Sequence, residues 1–274
     1  MKLSKVINEK WLNAKSLADH YQNALPFPHI VLTNFIKEDL LKKVSAEFPD
    51  LAKLKDTVVQ YNSSKEIKLT SIGMQVLTPS ALELNTYLQS DLMMNWLNGL
   101  TGIKEPLISD PYLSGGGYHE IKNGGLLKIH ADFNKHPKLD LDRRLNMLIY
   151  LNEDWQDEWG GSLQLYDVDM EKALQTVYPR FNTAVIFTTT SYTYHGNPDP
   201  LKCPDNRSRK SLAYYYFSTG RPKSEISKDT HSTLFKERKG EQFMDQLNVK
   251  SIVLDITPPI LIKAVKRLLK QQPK

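Results

Sequence analysis

Residues His130-Ala131-Asp132 place an imidazole and a carboxylate two positions apart. The run before them, Gly124-Gly125-Leu126-Leu127-Lys128-Ile129, alternates apolar and other side chains, which predicts a strand. Positions two apart on a strand face the same side, so His130 and Asp132 project together. A second histidine from a facing strand would complete a 2-His-1-carboxylate set. That set leaves coordination positions open and suits non-haem Fe(II) that must also bind a co-substrate and O2. An H-x-D pair alone is also common as a loop histidine beside an acid, so the rest of the chain decides its meaning.

Of the seven histidines, His195 is the candidate partner. It follows the apolar run Ala184-Val185-Ile186-Phe187 and lies 63 residues beyond Asp132 (195 − 132), room for several strands. His20 and His231 sit in polar stretches, His29 adjoins Pro28 before a strand, and His136 falls in a loop. A further chemical element is Arg209, which opens the otherwise apolar and aromatic run Ser211-Leu212-Ala213-Tyr214-Tyr215-Tyr216-Phe217. A basic side chain facing a barrel interior needs an anion, because a buried unpaired charge is costly. An arginine fork suits a carboxylate held at two points. The competing reading is a salt bridge at a strand end.

The elements that must position these residues change texture along the chain. Residues 9–24, 37–48, 79–89 and 91–100 carry apolar side chains at helical spacing, with Gly102 as a stop signal, and residues 30–32 form a strand candidate. Residues 49–78 are mixed and take no clear assignment. From Pro106 onward the pattern is short strands between turn signals, at 107–113, 118–121, 126–131, 145–151, 162–166, 184–189 and 211–217. Many short strands with few helices predict a jelly roll. The expected architecture is α+β and mainly β: an N-terminal helical layer (1–106), a jelly-roll core or double-stranded β-helix (107–222), and a C-terminal helical extension (223–274).

The totals narrow the classes. The chain has 274 residues, 40% hydrophobic and 24% charged, as expected of a protein with a sizeable core. No apolar run is long enough to span a bilayer and the N-terminus has no secretory pattern, which with the single Cys203 predicts a cytoplasmic protein. The net charge is +5, and residues 257–274 hold five basic side chains and no acid. The remaining body is neutral, which argues against a nucleic-acid partner. In residues 257–274 apolar side chains recur at helical spacing between the lysines. The expectation is a helix that packs on the body or makes weak peripheral contact with an anionic inner membrane face.

Taken together, His130-x-Asp132, the distal His195 and Arg209 resemble the Fe(II)/2-oxoglutarate-dependent dioxygenases, in particular the prolyl-4-hydroxylase-like branch. Arg143-Arg144-Leu145-Asn146-Met147-Leu148-Ile149-Tyr150-Leu151-Asn152-Glu153-Asp154-Trp155 is similar to the family's R-x-x-x-x-x-x-Y-L-N-x-x-W strand. Trp159-Gly160-Gly161-Ser162-Leu163 is similar to its Gly-Gly segment. The likeness runs from about Tyr118 to Arg221. It implies that His130, Asp132 and His195 are the Fe(II) ligands and that Arg209 pairs with the distal carboxylate of 2-oxoglutarate. It implies that Tyr150 assists, unless it is only a core aromatic, and that Asn146, on the face of Tyr150, touches the cofactor. Fourteen residues separate His195 from Arg209 (209 − 195), a long gap for the family, which leaves Arg207 as an alternative of the same parity. The resemblance further implies O2 as co-substrate and ascorbate as a reductant. Asp132 implies hydroxylation rather than halogenation, since halide would need the carboxylate's place. The expected reaction is hydroxylation of an unactivated C–H bond of a metabolite, glycan or peptidyl residue, releasing succinate and CO2. The alternative is a metal-binding jelly roll without oxidative chemistry. Lys128, on the face of His130, either meets an acidic substrate group or reaches solvent from the rim.

Overall fold

A computed structural model describes residues 2–225 and 230–243. Thirteen strands make one antiparallel sheet that curls on itself: β1 (His29–Thr33), β2 (Val58–Asn62), β3 (Glu66–Ser71), β4 (Ile108–Ser109), β5 (Gly117–Lys122), β6 (Leu126–Ala131), β7 (Asp142–Tyr150), β8 (Leu163–Tyr166), β9 (Ala173–Val177), β10 (Thr183–Thr188), β11 (His195–Asn197), β12 (Ser208–Ser218) and β13 (Leu234–Phe235). The main path runs β1-β10-β7-β12-β5-β3-β6-β11-β8-β9, with β2 on β3, β4 on β12 and β13 on β6. This is the jelly-roll-like barrel that the strand pattern predicts.

The period-2 alternation of each long strand sorts its side chains between two compartments. On β7, Leu145, Met147 and Ile149 pack outward into the main core, while Asn146 and Leu148 line a cavity inside the barrel. On β12, Leu212, Tyr214 and Tyr216 go outward, and Arg209, Ser211 and Tyr215 go inward. β5 does the same with Tyr118 outward and His119 and Ile121 inward. The outward faces are covered by α1 (Ala18–Gln22), α2 (Glu38–Ala46), α3 (Pro79–Leu88) and α4 (Asp91–Thr101). Leu41, Val44, Leu84, Leu88, Met93, Leu97 and Leu100 are fully buried there. Each such side chain contributes roughly 1.5–3 kcal/mol on leaving water. α4 ends at Gly102, whose positive φ of 72° supplies the left-handed turn expected of a helix stop.

Three differences from the sequence pattern have physical causes. Residues 9–24 do not form one helix but two 3-10 turns, Glu9–Trp11 and Ala14–Leu17, followed by α1. The Trp11 carbonyl, which a continuous helix would pair with an amide four residues on, instead accepts from Trp96 Nε1 at 2.8 Å. Residues 58–71, unassigned by pattern, form the β2–β3 hairpin. In β4 only Ile108 and Ser109 pair, because Asp110 turns the chain by accepting from the backbone N–H groups of Tyr112 (2.8 Å) and Ser114 (2.5 Å). Of the helical extension expected at residues 223–274, the described part holds a 3-10 turn at Lys223–Glu225, the strand β13 and a turn at Lys239 and Gly240. Its remainder from residue 244, which includes the amphipathic segment 257–274, lies outside the described residues. Among the described residues no helix is long and apolar enough to cross a membrane.

Candidate active site

His130 sits near the end of β6 and His195 opens β11. The antiparallel register makes them direct cross-strand partners, with ring centroids 4.5 Å apart. Such close approach of the two strands depends on Gly196. A Cβ there would meet the carbonyl oxygens of Leu127 and Lys128 at 2.7 and 2.8 Å. Asp132 follows β6 and turns its carboxylate toward the Nε2 atoms of both rings. His130 Nε2 lies 3.6 Å from Asp132 Oδ1, and His195 Nε2 lies 3.3 Å from Asp132 Oδ2. The three residues are buried and their ligand atoms all lie within 4.8 Å of one another. Bonds of about 2.0–2.2 Å from one ion place neighbouring ligand atoms about 3 Å apart, so this cluster matches a single metal ion.

Backbone carbonyls fix the histidine tautomers. His130 Nδ1 donates to Lys128 O at 2.8 Å and His195 Nδ1 to Thr193 O at 3.0 Å. Both rings therefore keep Nδ1–H and turn a free Nε2 lone pair toward Asp132, the state a metal requires. Burial, with the neighbouring His195 ring, lowers the basicity of His130 and keeps it neutral. Burial alone would raise the Asp132 pKa, but the Arg143 guanidinium and the two histidines overcome it and hold the carboxyl well below its usual range.

Behind the three lies a cavity of about 70 Å³, whose lining includes Leu148, Leu163, Asn197, Arg209 and Ser211. Arg209 is 5% exposed. Its Nε donates to Gly161 O at 2.7 Å and its Nη2 to the Tyr150 hydroxyl at 3.1 Å. Both partners are neutral, and among the described residues Arg209 has no carboxylate partner. Gly161 explains its motif: at φ 72°, a Cβ would strike Leu201 Cδ2 at 2.5 Å and crowd Arg209 Cδ at 3.1 Å. Arg207 is elsewhere. Its guanidinium reaches the Glu153 carbonyl and lies 5.3 Å from the Trp159 ring. Asn197, 3% exposed on the face of His195, has a buried side-chain nitrogen in the cavity wall without a hydrogen-bond partner among the described residues.

The structure thus brings together His130, Asp132, His195, Arg209 and Tyr150, and places Asn146 on Asp132. Asn146 Nδ2 donates to Asp132 Oδ2 at 2.6 Å. Lys128 is already paired, donating to Glu241 at 2.5 Å and to Pro198 O at 3.0 Å. Sequence reasoning missed Lys68 and His119, which also line the cavity, and Phe235 of β13, whose ring lies 5.6 Å from that of His130. A groove of about 630 Å³ runs along the outer side, with Tyr61, Tyr112, Phe133 and Pro137 in its lining.

The sequence profile of the 2OG-Fe(II) oxygenase superfamily matches residues 116–217, the stretch that holds His130, Asp132, Tyr150, His195 and Arg209. Over that stretch, little more than a third of its length, the chain is similar to the 2OG-Fe(II) oxygenase superfamily. It is 26% identical over 225 residues to the prolyl 3-hydroxylase OGFOD1 of Mus musculus and 23% identical over 202 residues to that of Xenopus laevis. These alignments cover 78% and 71% of the chain but only 37% and 35% of the relatives, so the chain spans about a third of their length. In fold it is similar to a Pseudomonas putida prolyl-4-hydroxylase, with a TM-score of 0.54 at 18% identity, covering 76% of this chain and 100% of that one. A Trichoplax adhaerens prolyl hydroxylase, in complex with a hypoxia inducible factor peptide fragment, also gives 0.54, at 14% identity and 77% and 91% coverage. The matched superfamily uses Fe(II), 2-oxoglutarate and O2, and the buried His-Asp-His cluster with an acid-free arginine behind it fits that set.

Proposed function

We propose that this chain is a 2-oxoglutarate-dependent hydroxylase of a protein-bound residue, with peptidyl proline the first substrate to test. His130, Asp132 and His195 would hold Fe(II), and Arg209 with Tyr150 would hold the distal carboxylate of oxoglutarate. The observation that carries this reading is the buried Arg209 beside the His-Asp-His cluster, which among the described residues meets only neutral partners. A buried guanidinium needs an anion, and a small dicarboxylate spanning from the metal to Arg209 supplies one. Iron held there would supply the oxidising power: one atom of O2 would enter the substrate C–H bond and the other would go into succinate as oxoglutarate loses CO2.

The protein's own task is orientation and exclusion. Arg209, locked by Gly161 and Tyr150, fixes the far end of the co-substrate. Leu127, Leu148, Leu163 and Ile121 supply the apolar part of the cavity wall and help to keep bulk water from the reacting centre. Burial raises the Tyr150 pKa, against the pull of Arg209, so its hydroxyl stays protonated and able to donate. The aromatic groove beside Phe133 suits an extended peptide with apolar side chains better than a polar metabolite, and the names of the curated relatives support a prolyl target.

The test is succinate release from purified protein given Fe(II), oxoglutarate and O2, followed by mass spectrometry of proline-containing peptides for one added oxygen. Absence of any oxoglutarate turnover with iron bound would overturn the oxidative reading. Turnover without peptide oxidation would restrict the correction to the substrate.

A further inference from the structure

Asp132 Oδ2 is engaged twice from β7. Asn146 Nδ2 donates a hydrogen bond at 2.6 Å, and the Arg143 guanidinium forms an ion pair through Nη2 at 3.2 Å. Arg143 in turn donates through Nε (3.0 Å) and Nη2 (2.6 Å) to Asn146 Oδ1, which fixes the amide with its nitrogen toward Asp132. The orientation follows from chemistry, because only the oxygen of an amide accepts from a guanidinium. Arg143 cannot swing away. It is 0% exposed, and its guanidinium carbon sits 3.5 Å from the Tyr215 ring centroid and 4.2 Å from that of Phe133. Asn146 is 2% exposed, at mid-strand between Phe187 on β10 and Tyr215 on β12.

We propose that Asn146 and Arg143 are positioning residues that engage Oδ2 of Asp132 and reserve Oδ1 for the metal, making Asp132 a one-oxygen ligand. The inference rests on the reading of His130, Asp132 and His195 as metal ligands. Its consequence is coordination arithmetic. An octahedral ion held by one atom from each of three side chains keeps three positions open. A chelating co-substrate takes two of them and leaves one for O2. A second Asp132 oxygen would close that last position. A carboxylate with both oxygens free can rotate into the two-oxygen mode, and donors fixed on Oδ2 oppose that rotation.

Co(II) is the probe, since its visible absorption reports coordination geometry without turnover. Wild type, Asn146→Ala and the near-isosteric Asn146→Leu are titrated with Co(II) by calorimetry and absorption, with thermal melts as a check on folding. The expected result is a loss of affinity of roughly 10- to 100-fold in both variants, with altered Co(II) bands. Should Asn146→Leu not fold, Asn146→Ser serves in its place, its hydroxyl being too short to reach Oδ2. Affinity and spectra equal to wild type in the folded variants would overturn the proposal. If wild type takes up no Co(II), or Asp132→Ala binds it as well as wild type, the ligand assignment itself is wrong. If wild type binds, Asp132→Ala does not and the Asn146 variants match wild type, only the positioning role is lost.

Discussion

The Nη2 atom of Arg209 meets the Tyr150 hydroxyl at 3.1 Å across neighbouring strands, two residues along β12 from Tyr150's partner Ser211. Arg209 lines the same cavity as His130 and His195, and of the pair only the arginine carries charge. Removing it should therefore weaken oxoglutarate binding while leaving the metal cluster whole. A charged two-point contact is worth roughly 1.5–3 kcal/mol, which corresponds to about a 10- to 150-fold rise in oxoglutarate KM for Arg209→Ala. Tyr150→Phe should give a smaller rise. Arg207→Ala, which alters a side chain stacked on Trp159 outside the cavity, should leave KM unchanged. Steady-state succinate release at varied oxoglutarate decides between the two arginines.

The metal cluster makes a sharper prediction. His130→Ala, Asp132→Ala and His195→Ala should each abolish turnover and reduce bound iron, measured by elemental analysis of protein reconstituted with Fe(II). Each removes one of three ligand atoms that the fold holds within 4.8 Å of one another. A variant that keeps wild-type iron and activity removes its residue from the ligand set.

The sequence made this much of the site legible because the decisive relations are local or periodic. The parity of His130 and Asp132 follows from two-residue spacing on one strand, and Arg209 is conspicuous as a charge at the head of an aromatic run. Asn146 is harder. Its spacing from Tyr150 puts it on the inward face, but whether it meets cofactor or ligand depends on Arg143 turning its amide, a cross-chain geometry that no periodicity encodes. Residues 58–71 were opaque for another reason. In β3 the polar Lys68 and Thr70 face cavities while Leu69 packs in the main core, so the face that carries chemistry is not the apolar one. The broken helix at residues 9–24 reflects a tertiary contact, Trp96 on the Trp11 carbonyl, that overrides a sound local pattern.

His119 should make the protein acid-sensitive. Its Nε2–H donates to Gly115 O at 2.9 Å. Burial, together with the charges of Lys68, Arg209 and Arg143, lowers its pKa to about 3. The unfolded chain, with a histidine pKa near 6.5, binds the proton first, so stability falls as pH drops from about 6.5 toward about 3. Between about pH 6.5 and pH 5 the loss from this group is at most about 2 kcal/mol. His119→Gln, which keeps a donor but does not titrate, should lose less stability over that interval. Urea midpoints of the two proteins at about pH 7 and pH 5 measure the difference, and parallel losses would show that His119 is not responsible.

The segment that closes over His130 should be held largely by charge. β13 pairs only Leu234 and Phe235 with Ala131 and His130, a short ladder with little apolar burial. Beyond it, Glu241 accepts from Lys128 at 2.5 Å and from Arg238, and Arg238 also reaches Asp199 at 2.9 Å. Partial burial would push the Glu241 pKa up, but Arg238 and Lys128 outweigh it and lower it to about 2. The carboxylate's contribution is thus complete above the usual value near 4.5 and is lost as pH falls toward about 2. Glu241→Gln should release the segment at neutral pH, since the neutral amide cannot hold both cations. Trypsin, which cuts after Lys236, Arg238 and Lys239, should cleave the variant several-fold faster than wild type, and added salt should narrow the gap by screening the wild-type pairs. The same release takes Phe235 off the His130 ring, so Phe235→Ala should speed cleavage as well without changing its salt dependence. Equal cleavage of Glu241→Gln and wild type at low salt would mean that the β13 ladder, not the ion pairs, fastens the segment.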